Sequence, residues 1–414
     1  MFKEIFKCRI CGNENLEHVI DLGMQALTGI FPKENEIVES SPLELVKCSD
    51  EGCGLLQLKH SNEPEEMYGE NYGYRSGLNQ SMVDHLQSKV EKIESIINIE
   101  KDDLIIDIGS NDSTLLQSYS NKDAHYLGVD PTGVKFKKYY PDYIDLIPDF
   151  FSAKVVKDRL AKLDSGKAKV ITSIAMFYDL ESPIDFMKNI YDVLSEDGIW
   201  HFEQSYMPFM IEKTSYDTIC HEHLEYYGLH QILWMTDKVG FQIENVEFND
   251  VNGGSFAITV SKKNSGRKIN VNVEKILEDE IKDGYHTIEP YLKFAEDVNK
   301  HKKDLTEFIK NEIKNGKKIL GYGASTKGNV ILQYCNLTAN EINHIAEINE
   351  EKFGKYTPGT SIPIISEEEA KELNPDYFLL LPWHFKDNIL EREKGYIKNG
   401  GKFLIPLPKI EIVR

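Results

Sequence analysis

Residues 104–113 read Leu104-Ile-Ile-Asp107-Ile-Gly109-Ser110-Asn111-Asp112-Ser113. The run Leu104 to Ile108 has the pattern of a short buried strand, and Leu115 and Leu116 begin a helix after a polar turn. Tyr126 to Val129 gives a second strand that ends at Asp130, about twenty residues further on. Strand, glycine turn, helix, strand and acid make a nucleotide-type α/β unit, in which the bare glycine lets a ligand approach the backbone. Such units hold either dinucleotides or S-adenosylmethionine. A full G-x-G-x-x-G is missing, and Asp107 just before Gly109 suits the cationic amino group of S-adenosylmethionine. On this reading Asp107, Gly109, Ser110 and Asn111 surround the donor, and Asp130 takes its ribose hydroxyls. Phe150, in Asp149-Phe-Phe151, flanks the adenine.

Working outward, residues 81 to 97 have helical apolar spacing, Val170 to Ala175 reads as a strand, and His201-Phe-Glu203 ends another. Val251-Asn-Gly253-Gly254-Ser255-Phe256 leads into a late strand at Ala257 to Ser261, so the unit is expected to span 81–265. Residues 266–315 are charged, helical and poor in glycine, and read as a connector. A second α/β unit, 316–414, opens with a strand at Lys318 to Tyr322 and the turn Gly321-Tyr-Gly323-Ala-Ser325-Thr-Lys327-Gly328-Asn329. A glycine turn opening a helix offers free N–H groups to phosphate, and Lys327 adds a cation. The plainer alternative is a glycine turn needed for packing alone. Later strands are expected at Ile342 to Ile348, Ile362 to Ile365, Tyr377 to Leu381 and Lys402 to Ile405.

Residues 1–80 read as short-stranded and irregular. Cys8-Arg-Ile-Cys11-Gly12 and Cys48-Ser-Asp-Glu-Gly-Cys53-Gly54 are two cysteine knuckles, each with glycine after its second thiol. Four thiolates close a tetrahedral shell, so the expected metal is structural Zn²⁺. Tyr68, Tyr72 and Tyr74, set among glycines, suit a linker or a lid over a ligand.

The 414 residues carry 48 Lys and Arg against 68 Asp and Glu, a net charge of −20. A chain so acidic is a poor match for nucleic acid, whose phosphates are gripped by basic patches. No run approaches the roughly 20 apolar residues of a membrane helix, and the start does not read as a signal peptide. A cytoplasmic protein, monomer or small homo-oligomer, is expected, with its thiols reduced.

One stretch belongs to no core pattern. Asp217-Thr-Ile-Cys220-His221-Glu222-His223 puts two imidazoles and a carboxylate side by side. The histidines lack the i, i+4 spacing of a helical zinc site. The cluster therefore suits a loop or strand end lining a cleft, with a solvated charged turn as the plain alternative.

In order, these motifs resemble the sugar C-methyltransferases of deoxysugar pathways. The matching stretches are Cys8-x-x-Cys11, Tyr72-Gly-Tyr74-Arg-Ser76, Ile108-Gly-Ser-Asn-Asp112 and Asp217-Thr-Ile-x-His-Glu-His223. Asn252-Gly-Gly-Ser255, Gly321 to Asn329, Tyr356-x-Pro-Gly359 and Leu381-Pro-Trp383 match as well. The resemblance spans essentially the whole chain. It implies a multidomain α/β protein with a zinc-binding N-terminal module, a class I methyltransferase domain that binds S-adenosylmethionine, and a second Rossmann-like domain holding a nucleotide-diphosphate sugar. It further implies methylation at carbon 3 of a 4-keto-6-deoxysugar. Carbon accepts a methyl cation once a base removes its proton and a ketone stores the charge as an enolate. His223 is the expected base, Glu222 its orienter or a sugar ligand, and His221 or Tyr74 the enolate's partner. Tyr72 is expected at the donor. Gly323, Ser325, Lys327, Gly328, Asn329 and Tyr356 are expected at the nucleotide-sugar. The chain departs from many relatives at Cys220, where tyrosine is usual, at Tyr178, where histidine is, and at Ser113, where glycine is. The first two positions belong near the sugar, so the acceptor atom is less firmly implied than methyl transfer. O-methylation of a nucleotide-sugar, or zinc-ribbon binding on a degenerate scaffold, are the competing readings.

Overall fold

The structure, a computed structural model, describes residues 2–63, 67, 74–163, 166–269 and 272–414. The first strands are β1 (Lys3–Glu4), β2 (Leu16–Ala26), β3 (Ser40–Cys48), β4 (Leu56–Leu58) and β5 (His60–Ser61). The middle of the chain adds β6 (Leu104–Ile108), β7 (His125–Val129), β8 (Ile144–Ile147), β9 (Ala168–Ile174) and β10 (Leu194–Ser205). Then come β11 (Glu225–Tyr226), β12 (Phe241–Asn249) and β13 (Ser255–Lys262). The last third holds β14 (Ile319–Tyr322), β15 (Ile345–Glu347), β16 (Ile364–Ser366), β17 (Tyr377–Leu380), β18 (Phe403–Ile405) and β19 (Glu411–Val413).

The central sheet runs β12-β13-β10-β9-β6-β7-β8. β6, β7, β8, β9 and β10 are parallel, and β13 lies antiparallel between β10 and β12. All five residues of β6 are buried, as a strand covered on both faces requires. Ile105 joins the core under the helix Gln80–Ile96, while Leu104, Ile106 and Ile108 join the core on the other face. That helix buries Met82, Leu86, Lys89, Val90 and Ile93, one stripe at 3.6-residue spacing, and Asn79 caps it by accepting from Ser81 N–H. The chain order reverses between β6 and β9. Ligands of open α/β sheets sit at that reversal, beyond the carboxyl ends of the strands.

The C-terminal sheet repeats the plan, in the order β16-β15-β14-β17-β18-β19, parallel except for β19. The helix Glu289–Lys314 buries Tyr291, Phe294, Val298, His301, Leu305 and Ile309 along one face. Residues of β2, β3 and β4, of the stretch 216–226 and of the C-terminal sheet share a single apolar core.

The N-terminal part differs from the irregular reading. β2 and β3, 11 and 9 residues long, pair as an antiparallel hairpin. Its register shifts between His18 and Ile20 and again between Asp21 and Met24. Each shift breaks the in–out alternation that marks a strand in sequence. β11 is the other departure. Although it follows β10 in the chain, it pairs with β4, Glu225 facing Gln57 and Tyr226 facing Leu56. It is thus the fourth strand of the N-terminal sheet, β11-β4-β3-β2. Among the described residues, no helix is long and apolar enough to cross a membrane.

Candidate active site

The four expected thiols converge. The Sγ atoms of Cys8, Cys11, Cys48 and Cys53 lie within 4.8 Å of one another, with Cys8–Cys53 and Cys11–Cys48 both at 3.5 Å. Four sulfurs bound to Zn²⁺ at about 2.3 Å are about 3.8 Å apart, so the cluster is sized for that ion. Gly12 and Gly54 follow the second thiol of each knuckle at φ +77° and +69°, a turn that side-chain-bearing residues rarely make. Cys8, Cys48 and Cys53 are buried, and a shell of four thiolates leaves no ligand position open.

At the end of β6, Gly109 has φ +74°, and a Cβ there would come 3.3 Å from Met176 Cγ. The turn is therefore both left-handed and closed on one side. Asp107 is buried and accepts from Thr172 Oγ1 at 2.6 Å. Burial pushes its carboxyl up to about 7, opposed by the Thr172 bond. Asp130 accepts from Asn111 N–H at 2.7 Å and from Thr132 N–H at 2.7 Å, so it braces the turn from β7. Ser110 Oγ lies 2.8 Å from Tyr140 OH. The Asn111 side chain is engaged by the segment above it, accepting from Ser76 N–H at 3.0 Å and donating to Tyr74 O at 3.2 Å. Gly77 N–H donates to Asp112 at 2.9 Å, so residues 74–77 lie across the turn. Tyr74 is exposed there, and Phe150 is exposed in the loop after β8. Tyr68 and Tyr72 lie outside the described residues. Ser113 sits at φ +64° and accepts from Gln117 Nε2 at 2.9 Å.

The three residues of the His-Glu-His run face three ways. His221 is buried against the N-terminal sheet, with Nε2 3.3 Å from Ser41 O. Burial lowers its imidazole to about 4. In that position its ring packs against the N-terminal sheet. Glu222 meets the other modules: Thr28 Oγ1 donates to it at 3.4 Å, and a Cβ at Gly29 would collide with its Oε1 and sit 3.9 Å from Thr326 Oγ1. Burial raises the Glu222 carboxyl. Cys220 beside it is buried too, its thiol pushed well above the usual range. His223 is half-buried, with Nδ1 2.9 Å from Thr218 O. Its ring stands edge-on to Tyr178, centroids 4.4 Å apart at 63°. Burial, and next the Lys327 cation, lower the His223 imidazole to about 3. Tyr178 is two residues beyond Met176, so one short turn after β9 touches both Gly109 and His223.

The glycine turn after β14 serves packing as well as any ligand. A Cβ at Gly323 would meet Pro382 at 2.6 Å, and one at Gly328 would meet Leu381 at 2.6 Å. Ser325 caps the helix Thr326–Tyr334, its Oγ accepting from Gly328 N–H at 3.0 Å. Asn329 is buried, and its Nδ2 donates to Thr28 O at 2.8 Å. That donor joins two modules, while the buried Asn329 Oδ1 has no hydrogen-bond partner among the described residues. Tyr356 N–H donates to Pro32 O at 2.9 Å, another such join. Lys327 Nζ donates to Asn252 O at 2.8 Å. Burial lowers its ammonium, and Asp217 opposes this. Lys327 therefore faces the His-Glu-His loop. Asp217 in turn accepts from Trp383 Nε1 at 2.8 Å.

Sequence reasoning passed over Arg9, Thr218 and Glu225. Glu225 is buried, and both its oxygens lack a hydrogen-bond partner among the described residues. It lines a cavity of about 10 Å³ together with Tyr178, Ser205, Thr218, His223 and Tyr226. The available signal was its place two residues after His223 on an apolar-aromatic strand, where a carboxylate is out of pattern.

Three family models match in sequence order: a zinc binding domain over residues 8–68, a methyltransferase domain over 82–246 and a C-methyltransferase C-terminal domain over 250–408. Over its full length the chain is similar to the C-methyltransferase NovU of Streptomyces niveus, 28% identical over 414 residues, covering 99% of this chain and 97% of that one. Solved structures match under half of the chain. One is a chain from the complex of the Haloferax volcanii Trm112 methyltransferase activator with a methyltransferase, at TM-score 0.36 and 11% identity, covering 45% of this chain and 94% of that one. Another is the plantazolicin methyltransferase BpumL with SAH, at TM-score 0.34 and 12% identity, covering 44% and 88%. The chain is an S-adenosylmethionine-dependent methyltransferase with a zinc-binding N-terminal module and a C-methyltransferase C-terminal domain.

Proposed function

We propose that the enzyme methylates a nucleotide-diphosphate-linked keto-deoxysugar at the carbon next to its ketone, carbon 3 of a 4-keto sugar. The observation that carries this is the fixed tautomer of His223. A carbonyl only accepts, so Thr218 O holds the hydrogen on Nδ1 and leaves the lone pair on Nε2. A neutral imidazole aimed from a loop, on the donor side of Tyr178, is what proton removal from carbon requires. S-adenosylmethionine supplies the methyl group.

The chain's own residues divide the remaining work. His223 Nε2 takes the proton beside the ketone. Tyr178, whose ring meets His223, and Lys327, whose cation acts on it, have a donor and a charge to offer the enolate oxygen, a task in which preorganised charge counts for most. Glu222, its carboxyl raised by burial, hydrogen-bonds a sugar hydroxyl. Asp107 and Asp130 flank the donor, and residues 74–77 cover it. The first-turn N–H groups of the helix Thr326–Tyr334 take the diphosphate.

The test is solvent deuterium exchange with a panel of nucleotide-linked 4-keto sugars, followed by mass spectrometry after donor is added. Exchange without donor, and one added methyl on carbon with it, are expected. Methyl transfer without exchange would assign the methyl to oxygen instead.

A further inference from the structure

We propose that Arg9, inside the first cysteine knuckle, is a positioning residue for methyl transfer, setting the Tyr178–His223 contact through Glu181 and Glu225. The proposal rests on the reading of His223 as the base.

The Arg9 side chain is 2% exposed, and its Nε lies 3.4 Å from Glu181 Oε2 and 3.7 Å from Glu225 Oε1. Glu181 is three residues beyond Tyr178, and Glu225 two residues beyond His223. One guanidinium therefore sits between the two loops whose rings meet. The backbone closes the same ring. Arg9 Nη1 donates to Leu58 O, Leu58 N–H donates to Leu224 O at 2.8 Å, and Leu224 N–H donates to Tyr178 O at 2.8 Å. Arg9 N–H also donates to Gln57 Oε1 at 3.1 Å, which fixes the knuckle against β4. Arg9 is thus held at its base by the cysteine cluster and at its head by the two loops.

Charge explains why the head matters. Glu225 is 1% exposed, and no hydrogen bond satisfies either oxygen among the described residues. Burial raises its carboxyl well above the usual range; the Arg9 cation is the main charge acting against this, while Glu181 and Asp179 add to it. Without Arg9 the buried Glu225 carboxyl loses the cation that faces it, which frees its strand to shift toward water or another partner. Glu225 lines the same small cavity as Tyr178 and His223, so its movement is felt there. The cysteine cluster, remote from chemistry by its closed shell, reaches the reaction through this side chain.

The test uses the full-length zinc-loaded protein with Arg9→Gln and, should that variant fail to fold, Glu225→Gln. Four readouts are taken: zinc content, S-adenosylhomocysteine affinity, the histidine NMR signal missing from His223→Asn, and kcat with a nucleotide-linked 4-keto sugar. Zinc stays at one per chain and product affinity stays within about twofold, while the His223 signal shifts and kcat falls about 100-fold, the size of an ångström-scale misplacement. The double variant Arg9→Gln/Glu225→Gln regains part of the loss. A wild-type His223 signal and kcat in a folded Arg9→Gln protein would overturn the proposal, as would loss of zinc and product affinity in step with kcat. If the wild-type enzyme turns over no keto sugar, the substrate reading fails, and the NMR signal still decides the role of Arg9.

Discussion

Thr218 O accepts from two side chains at once, His223 Nδ1 at 2.9 Å and Tyr226 OH at 3.3 Å. The imidazole can therefore neither flip nor change tautomer without breaking a buried contact. With His223→Asn, methyl transfer is expected to fall about 10²- to 10⁴-fold, the usual worth of a positioned base. S-adenosylhomocysteine should titrate as in the wild type, because the ring touches Tyr178 and not the turn at Gly109. Single-turnover methylation and calorimetry read the two effects separately.

The acid limb of the rate profile should be displaced. Burial and Lys327 hold His223 down at about 3, so the neutral base persists far below the ordinary imidazole value of about 6.5. At saturating S-adenosylmethionine, kcat/KM for the nucleotide-sugar is expected to stay level from pH 8 down to pH 5. In Lys327→Met the lowering weakens, and the limb moves up toward neutrality. Profiles of both proteins over that range check it, whatever the variant's absolute rate.

Donor binding should depend on pH in the opposite sense. Asp107 titrates at about 7, and its ionised form is the one that attracts a cationic amino group. S-adenosylmethionine affinity should rise from pH 6 to pH 8 and flatten above, with a proton released on binding below pH 7. Asp107→Asn should abolish both the slope and the proton release. Calorimetry in buffers of different ionisation heat measures them.

Asn329 separates packing from recognition. Its amide donates to the Thr28 carbonyl, and both residues are fully buried. Asn329→Ala leaves that carbonyl unpaired at a cost of about 1–3 kcal/mol, so the melting midpoint falls. KM for the nucleotide-sugar stays near wild type in the surviving folded enzyme. A raised KM at unchanged melting temperature would return Asn329 to the ligand.

What the residues disclosed and what they hid follow from the range of the interactions. β6 was legible because five buried residues, a glycine and a later acid are all local signals. The four cysteines were legible because thiolate chemistry allows few other uses. The structural partners of His221 and Asn329 were hidden, because each pairs with a carbonyl 180 and 301 positions away. The long β2–β3 hairpin was masked by its two register shifts. Arg9 was invisible for a related reason, since its partners Glu181 and Glu225 are remote in sequence and only the fold lines them up.

The pairing of β11 with β4 has a consequence for biosynthesis. The sheet begun at Leu16 keeps a bare edge until Glu225 and Tyr226 leave the ribosome, because those two residues supply its last strand. A fragment ending near residue 68 would display the open ladder of β4, a ready template for another chain. The metal-binding part is therefore no autonomous unit to be grafted or excised. Its sheet is closed by the residues just after His223, so the last strand is added only once that loop has been made.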